Sequence, residues 1–280
     1  MRAVRRGIAE RVERLLGADE PMAPPADDRG LFGPGSASWR VHGDVPAMLI
    51  GGVAALLLQM LHPRALAGVW DHSAWRRDMA GRLRRTARFV GVATFGAAAE
   101  VEVAVARVRR IHERVRGTLP DGTPYAADEP ALIAWVHACE VGCFLRAHRR
   151  YRDPRMGGAE QDRYLREQAR LARMLGADAV PETRDALHRY FRAMRPELRA
   201  DARTREVSRL MLAQPSPSLL AAPVNAVMLR AGVDLLPGWA KRMHGLRLPP
   251  GQAPAVRLGA LGAGAVLRWA AASGRMTGPA

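Results

Sequence analysis

With 280 residues the chain is long enough for one large domain or two, and for a core that encloses a cofactor. Hydrophobic residues make up 48% but aromatics only 5%, so the core is built mainly from Ala, Leu and Val, a composition that favours helices over sheets. The net charge of +16, with Lys241 as the sole lysine among 43 basic residues, suggests acidic partners; the arginines are spread over every segment without zinc-ligand, RNP or basic-zipper motifs, so nucleic-acid binding is not expected.

In chain order, MRAVRRGIAERVERLLGADE reads as a short basic amphipathic helix lacking the apolar run and cleavage site of a secretory signal. A cytoplasmic location is therefore expected. A Pro/Gly loop follows, which divides the chain into an N-terminal helix and loop (1–36), a main body (37–250) and an Ala/Gly-rich helix with tail (251–280). VPAMLIGGVAALLLQMLHP is apolar nearly all round and stops at Pro63, as a central buried helix does; it is too short and Gly-rich for a membrane span. Pro63 then suits the first turn of a short helix, PRALAGVW.

A helix over MAGRLRRTARFVGVATFG is expected to run to about Ala93. Residues 101–117, VEVAVARVRRIHERVRG, read as one amphipathic helix. At about 100° per residue Val101, Val105, Val108, His112 and Val115 fall within roughly 80° of one another, so His112 points inward and Arg107, Arg110 and Arg114 outward. Arg116 lies one turn beyond His112. The turn GTLPDGTPYAADEP comes next, with Asp128 placed to cap EPALIAWVHACEVGCFLRAHRRY, a second central helix. Further helices are expected at 157–175, 182–194, 200–212, 216–232 and 255–272; the last packs on the body or rests on a membrane surface. No period-2 pattern is present. The fold class is all-α, a single large domain around a central helix bundle.

Cys139 and Cys143, four residues apart on one helix, suit a reduced core better than a strain-free disulfide, and no C-x-x-C-H motif exists for covalent haem attachment. No two of the eight histidines share the i, i+4 spacing of a helical zinc pair, and neither G-x-S-x-G nor a Walker A loop is present. Three histidines sit inside apolar helices: His62, His112 and His137. An inward histidine on a helical scaffold is how proteins offer an axial imidazole to haem iron; its commoner role is as a hydrogen-bonded core residue. Arg82, Arg85 and Thr86 share a helix face that continues into Phe89 and Val90, basic at one end and apolar at the other. Such a face suits a ligand with an acidic rim and a greasy body, or equally a solvated surface.

The segments LLLQMLHPRALAGVWDHS, GRLRRT, FVGVATFG, RVRRIHERVRG, YAADEPALIAWVHA and LLPGW, in that order over about residues 40–245, resemble the rubber-oxygenase (latex clearing protein) and MpaB-like family. The resemblance implies an all-helical fold enclosing a pocket for non-covalent haem b. It also implies an oxygenase that uses dioxygen on an apolar substrate, an isoprenoid chain among the candidates, by C=C cleavage or a related oxidation. The family's V-R-x-x-H-x-x-x-R pattern falls on Val108, Arg109, His112 and Arg116, which makes His112 the expected axial ligand with Arg116 beside the porphyrin. His137 is the rival ligand, paired with Glu140 one turn on, and His62 the third. The family's R-x-x-K-T pattern falls on Arg82, Arg85 and Thr86, with arginine in place of a lysine able to bind iron; guanidinium keeps its proton, so Arg85 is expected to leave the distal side open and to donate hydrogen bonds there. The competing class of function is a non-enzymatic basic helical protein that docks on anionic membrane or nucleic acid, with structural histidines.

Overall fold

The computed structural model describes residues 30–214, 216 and 221–271. The N-terminal helix expected over residues 1–20, most of the loop after it and residues 217–220 of the helix expected at 216–232 lie outside these residues. Twelve α-helices carry the described chain: α1 (Ala37–His42), α2 (Val45–Gln59), α3 (Pro63–His72), α4 (Met79–Phe95), α5 (Ala98–His112), α6 (Pro130–Tyr151), α7 (Gly158–Leu175), α8 (Arg184–Met194), α9 (Ala202–Leu212), α10 (Ala222–Leu235), α11 (Gly238–His244) and α12 (Gln252–Ala271). The fold is all-α, as the composition requires.

The two helices apolar on nearly every face, α2 and α6, form the central pair. Gly51 lets them meet closely, since a Cβ there would lie 2.9 Å from the Phe144 ring and 3.1 Å from the Cys143 carbonyl oxygen. Trp135 Nε1 of α6 donates to the Gln59 carbonyl at the end of α2, satisfying one of its orphan acceptors. On one side α10 and α12 cover α2. Asp44 accepts from Ala47 N to cap α2 and takes a bidentate contact from Arg268 of α12 at 2.6 and 2.9 Å. Asp234 of α10 receives both Arg150 of α6 and Arg257 of α12. On the other side lie α1, α4, α5 and α7. Glu167 of α7 accepts from the Ala37 and Ser38 amides, pinning the positive end of α1.

Two expectations are corrected. The helix of residues 101–117 ends at His112: Glu113 caps it and the chain turns into β1 (Arg116–Thr118), which pairs antiparallel with β2 (Pro124–Ala126). The Pro-Asp-Gly turn closes that hairpin with Gly122 at φ +86°, a conformation glycine tolerates. Asp128 does not cap α6; it accepts instead from Arg116, and the helix opens on Pro130. Helix α12 packs on the body through Val256, Ala260, Gly264 and Ala270. Cys139 and Cys143 are buried free thiols, and burial pushes the Cys143 thiol up to about 12. Among the described residues no single helix is long and apolar enough to cross a membrane.

Candidate functional site

A cavity of about 1100 Å³ opens between α3, α4 and α5 on one side and α6 and α7 on the other, reaching the end of α2 and touching α9. That volume is at the upper end of the ~300–1,000 Å³ typical of cofactor and ligand pockets. Aliphatic and aromatic side chains make most of its wall: Leu56 and Met60 at the end of α2, Val69 of α3, Leu83, Phe89 and Val90 of α4, Val108 and Ile111 of α5, Leu132, Ile133 and Phe144 of α6. The exposed liners Arg85, Arg88, Val103, Arg107 and Ile111 mark its mouth; the buried liners His42, Thr94, His137, Phe144 and Gln168 form its floor.

Four histidines line the cavity, and their hydrogen bonds divide them. His42 is fully used. Thr94 Oγ1 spends its proton on the Val90 carbonyl, so it accepts from His42 Nδ1 at 2.7 Å; His42 Nε2 then accepts from Tyr164 Oη at 2.8 Å. Burial, with His137 and His148 nearby, lowers the His42 pKa to about 3 and keeps the ring neutral. His72 Nε2 lies 3.2 Å from Tyr125 Oη, whose proton goes to Asp71. The other two keep an unspent nitrogen: His112 Nδ1 and His137 Nε2 are buried with no hydrogen-bond partner. His112 stands half-buried at the last residue of α5, its pKa lowered by desolvation against the opposing pull of Asp128. His137, 6% exposed, is neutral, burial having brought its pKa down to about 4. Neither nitrogen has another task in the fold and both residues line the cavity, which makes them the histidines there open to a ligand; orphaned imidazole nitrogens also occur away from it, at His62 Nδ1 and at both nitrogens of His148.

The basic face of α4 is also in the wall. Arg82, Arg85, Thr86, Phe89 and Val90 all line the cavity. Arg82 is half-buried, with no carboxylate partner among the described residues, and desolvation together with Arg85 lowers its pKa. Arg85 differs from expectation: it is exposed and its Nη1 donates to Asp78 Oδ2 at 3.3 Å, the carboxylate that also caps α4 by accepting from Gly81 N. Thr86 Oγ1 bonds back to the Arg82 carbonyl.

Three other placements depart from the sequence expectation. Arg116 does not line the cavity, although its neighbour Val115 does; the helix carrying His112 stops short of it, and it is exposed on β1 and bonded to Asp128 and the Glu113 carbonyl. His62 is no liner either. It stands at the bend before α3, its ring 6.0 Å from that of Trp135 and its Nε2 3.5 Å from Glu197. Arg107, expected to point away, sits at the mouth because the cavity reaches round α5 beyond the valine stripe, whose Val101 and Val105 pack against Ala93 and Leu171 instead. Sequence reasoning also missed His42, Gln168 and the weight of Glu140. Glu140 faces the cavity without a hydrogen bond among the described residues, and burial raises its carboxyl pKa to about 7. No three His, Cys, Asp or Glu side chains converge as a metal cluster among the described residues.

The profile of the catalytic domain described as ER-bound oxygenase mpaB/B′/rubber oxygenase matches residues 39–269. The chain belongs to this family. The match begins in α1 and runs through α12, so it takes in every wall of the cavity. The mpaB/rubber-oxygenase membership marks the chain as carrying an oxygenase-type catalytic domain. Comparisons with curated proteins and with solved structures gave no significant match.

Proposed function

We propose that this chain is a haem b-dependent oxygenase acting with dioxygen on an apolar substrate, isoprenoid chains being the class its family suggests. One observation supports it above the rest: of four cavity histidines, the two with an unspent buried nitrogen are His112 and His137, the first and second candidates for axial ligand. The residues present fit the group. An imidazole able to ligate iron, a desolvated arginine without a carboxylate and an aliphatic slot are what a porphyrin with two propionates asks of helical walls.

In this reading His112 would hold the haem iron, and Arg82 would pair with a propionate. The bound haem would supply activation of dioxygen. What the chain itself does is bind, dry and orient. The aliphatic walls exclude water and hold an apolar molecule by contact area alone. Arg82 places a fixed positive charge beside the cavity, strengthened by its partial desolvation. Arg85, tied to Asp78 and lacking a lone pair, cannot close the site by coordination.

The test compares His112→Ala and His137→Ala after haem reconstitution, by absorption in the Soret region, with far-UV circular dichroism as the check of folding. Loss of the haem spectrum in His112→Ala with its retention in His137→Ala is the expected result; the reverse moves the ligand to His137, and a wild type that takes up no haem refutes the reading.

A further inference from the structure

The cavity floor holds more hydrogen-bonding capacity than an apolar substrate can use. Three of its polar side chains, with Tyr164 behind them, can be accounted for. His42 spends both nitrogens, Thr94 both donates and accepts, Tyr164 donates to His42, and Gln168 Nε2 donates to Ser38 Oγ. Two cannot. His137 Nε2 is buried without a partner, in a residue only 6% exposed, and Glu140 carries its carboxyl into the same cavity with no hydrogen bond among the described residues. Three residues apart on α6, they share one helix face, and both line the cavity.

We propose that His137 and Glu140 form a receiving site for a neutral oxygen group, so that the substrate is an apolar chain ending in a hydroxyl or aldehyde rather than a bare hydrocarbon. The pair's chemistry selects that class. His137 is a neutral ring, and Glu140, held near pH 7 by burial, supplies a carboxylic acid for much of the neutral range; together they offer a donor and an acceptor, the complement of an alcohol. An anion is better placed elsewhere in the cavity: of the cationic liners, Arg85, Arg88 and Arg107 are exposed at the mouth, Arg64 is paired with Glu129, and the unpaired Arg82 is on α4 and not on α6, where a carboxyl group lines the wall beside His137. A hydrocarbon in the same place would leave two buried polar groups dry and unpaired, and sites built to hydrogen-bond a hydroxyl reject the analogue that lacks it. The inference rests on the apolar-substrate reading above and on His112, not His137, holding the iron.

The experiment titrates the full-length protein, with and without haem, with farnesol and with farnesene, following quenching of tryptophan fluorescence; Trp75 lines the cavity. The wild type is expected to bind the alcohol roughly ten- to a hundredfold more tightly, the range set by leaving a buried polar group unpaired. Glu140→Leu and His137→Phe should each bring the two ligands to within about threefold while keeping farnesene affinity, whereas Glu140→Gln, which retains a donor and an acceptor, should keep the preference. Equal binding of the two ligands by the wild type overturns the proposal, as it would if ordered water alone satisfied the pair; so does an undiminished preference in both apolar variants. Should Glu140→Leu fail to fold, the contrast between His137→Phe and Glu140→Gln decides. Absorption spectra of the same samples keep the two readings apart: a protein that takes up no haem but prefers farnesol refutes the cofactor and leaves the floor site standing, while a His137→Phe variant that alone loses its haem spectrum assigns His137 to iron and removes it from the receiving site.

Discussion

Arg82 and Arg85 occupy the same face of α4, one turn apart, and the sequence offers no reason to rank them. The structure does. Arg82 is half-buried and faces the cavity without a counter-ion among the described residues, so its charge is available to an acidic ligand in a setting where water screens it little. Arg85 is exposed and already paired with Asp78, and such surface pairs change little when broken. If a propionate sits against Arg82, Arg82→Ala should speed haem transfer to apomyoglobin by roughly ten- to a hundredfold, the worth of one charged hydrogen bond, and Arg85→Ala should change it by less than about threefold. Equal rates for the two variants would place the propionates elsewhere. The reason the distinction is invisible in GRLRRT is that Asp78, the residue that occupies Arg85, lies outside that stretch, seven residues before Arg85 at the cap of α4.

At the scale of elements, long periodic segments were legible and short ones were not. Helix α2 is an apolar run of 15 residues, α6 with 22 residues is apolar on almost every face through Phe144, and both were expected to be central. Helices α1 and α11, of six and seven residues, are too short to show a 3.6-residue period and went unread. His42, which closes α1, was missed for the same reason. The end of α5 was misplaced because the valine stripe continues past it to Val115, while the backbone is taken over by the hairpin. What sequence cannot show at all is how close two helices come. Gly232 of α10 marks such a contact: a Cβ there would lie 2.4 Å from Val53 Cγ1 and 2.6 Å from Val53 Cβ of α2. A β-branched side chain close to its own backbone has little room to yield, so Gly232→Ala should cost about 1–3 kcal/mol of stability despite its better helix propensity. For a chain of this size that lowers the melting temperature by roughly 3–10 °C. A variant as stable as the wild type would show that α10 can slide on α2.

Across the whole molecule, buried titratable groups set how stability depends on pH, and they pull in opposite directions. His42, His62 and His137 have folded pKa values of about 3, 4 and 4 against 6.5 when unfolded, each lowered chiefly by burial. Their contribution is whole above pH 6.5 and is lost as pH falls, because the unfolded chain takes up protons that the folded one refuses. Glu140 runs the other way: with a folded pKa of about 7 against 4.5, its contribution is whole below about pH 4.5 and fades as pH rises to 7. Between pH 5 and 6 these three histidines oppose one carboxyl, so unfolding takes up about two protons from them and stability falls by roughly 2–3 kcal/mol per pH unit of acidification; His112, His148 and His244, also lowered by burial, add to the fall. The positive net charge acts in the same sense, since acid adds to a self-repulsion already present at +16. The melting temperature of the haem-free protein should therefore be highest near neutrality and lower by about 10 °C at pH 5. His137→Phe should remove about one of these two protons and flatten the fall by up to about half, and Glu140→Gln should steepen it by removing the one group that gains from acid. A melting temperature that is flat from pH 7 to 5, or the same slope in both variants as in the wild type, would mean that water reaches these groups in the folded cavity and that its floor is not dry.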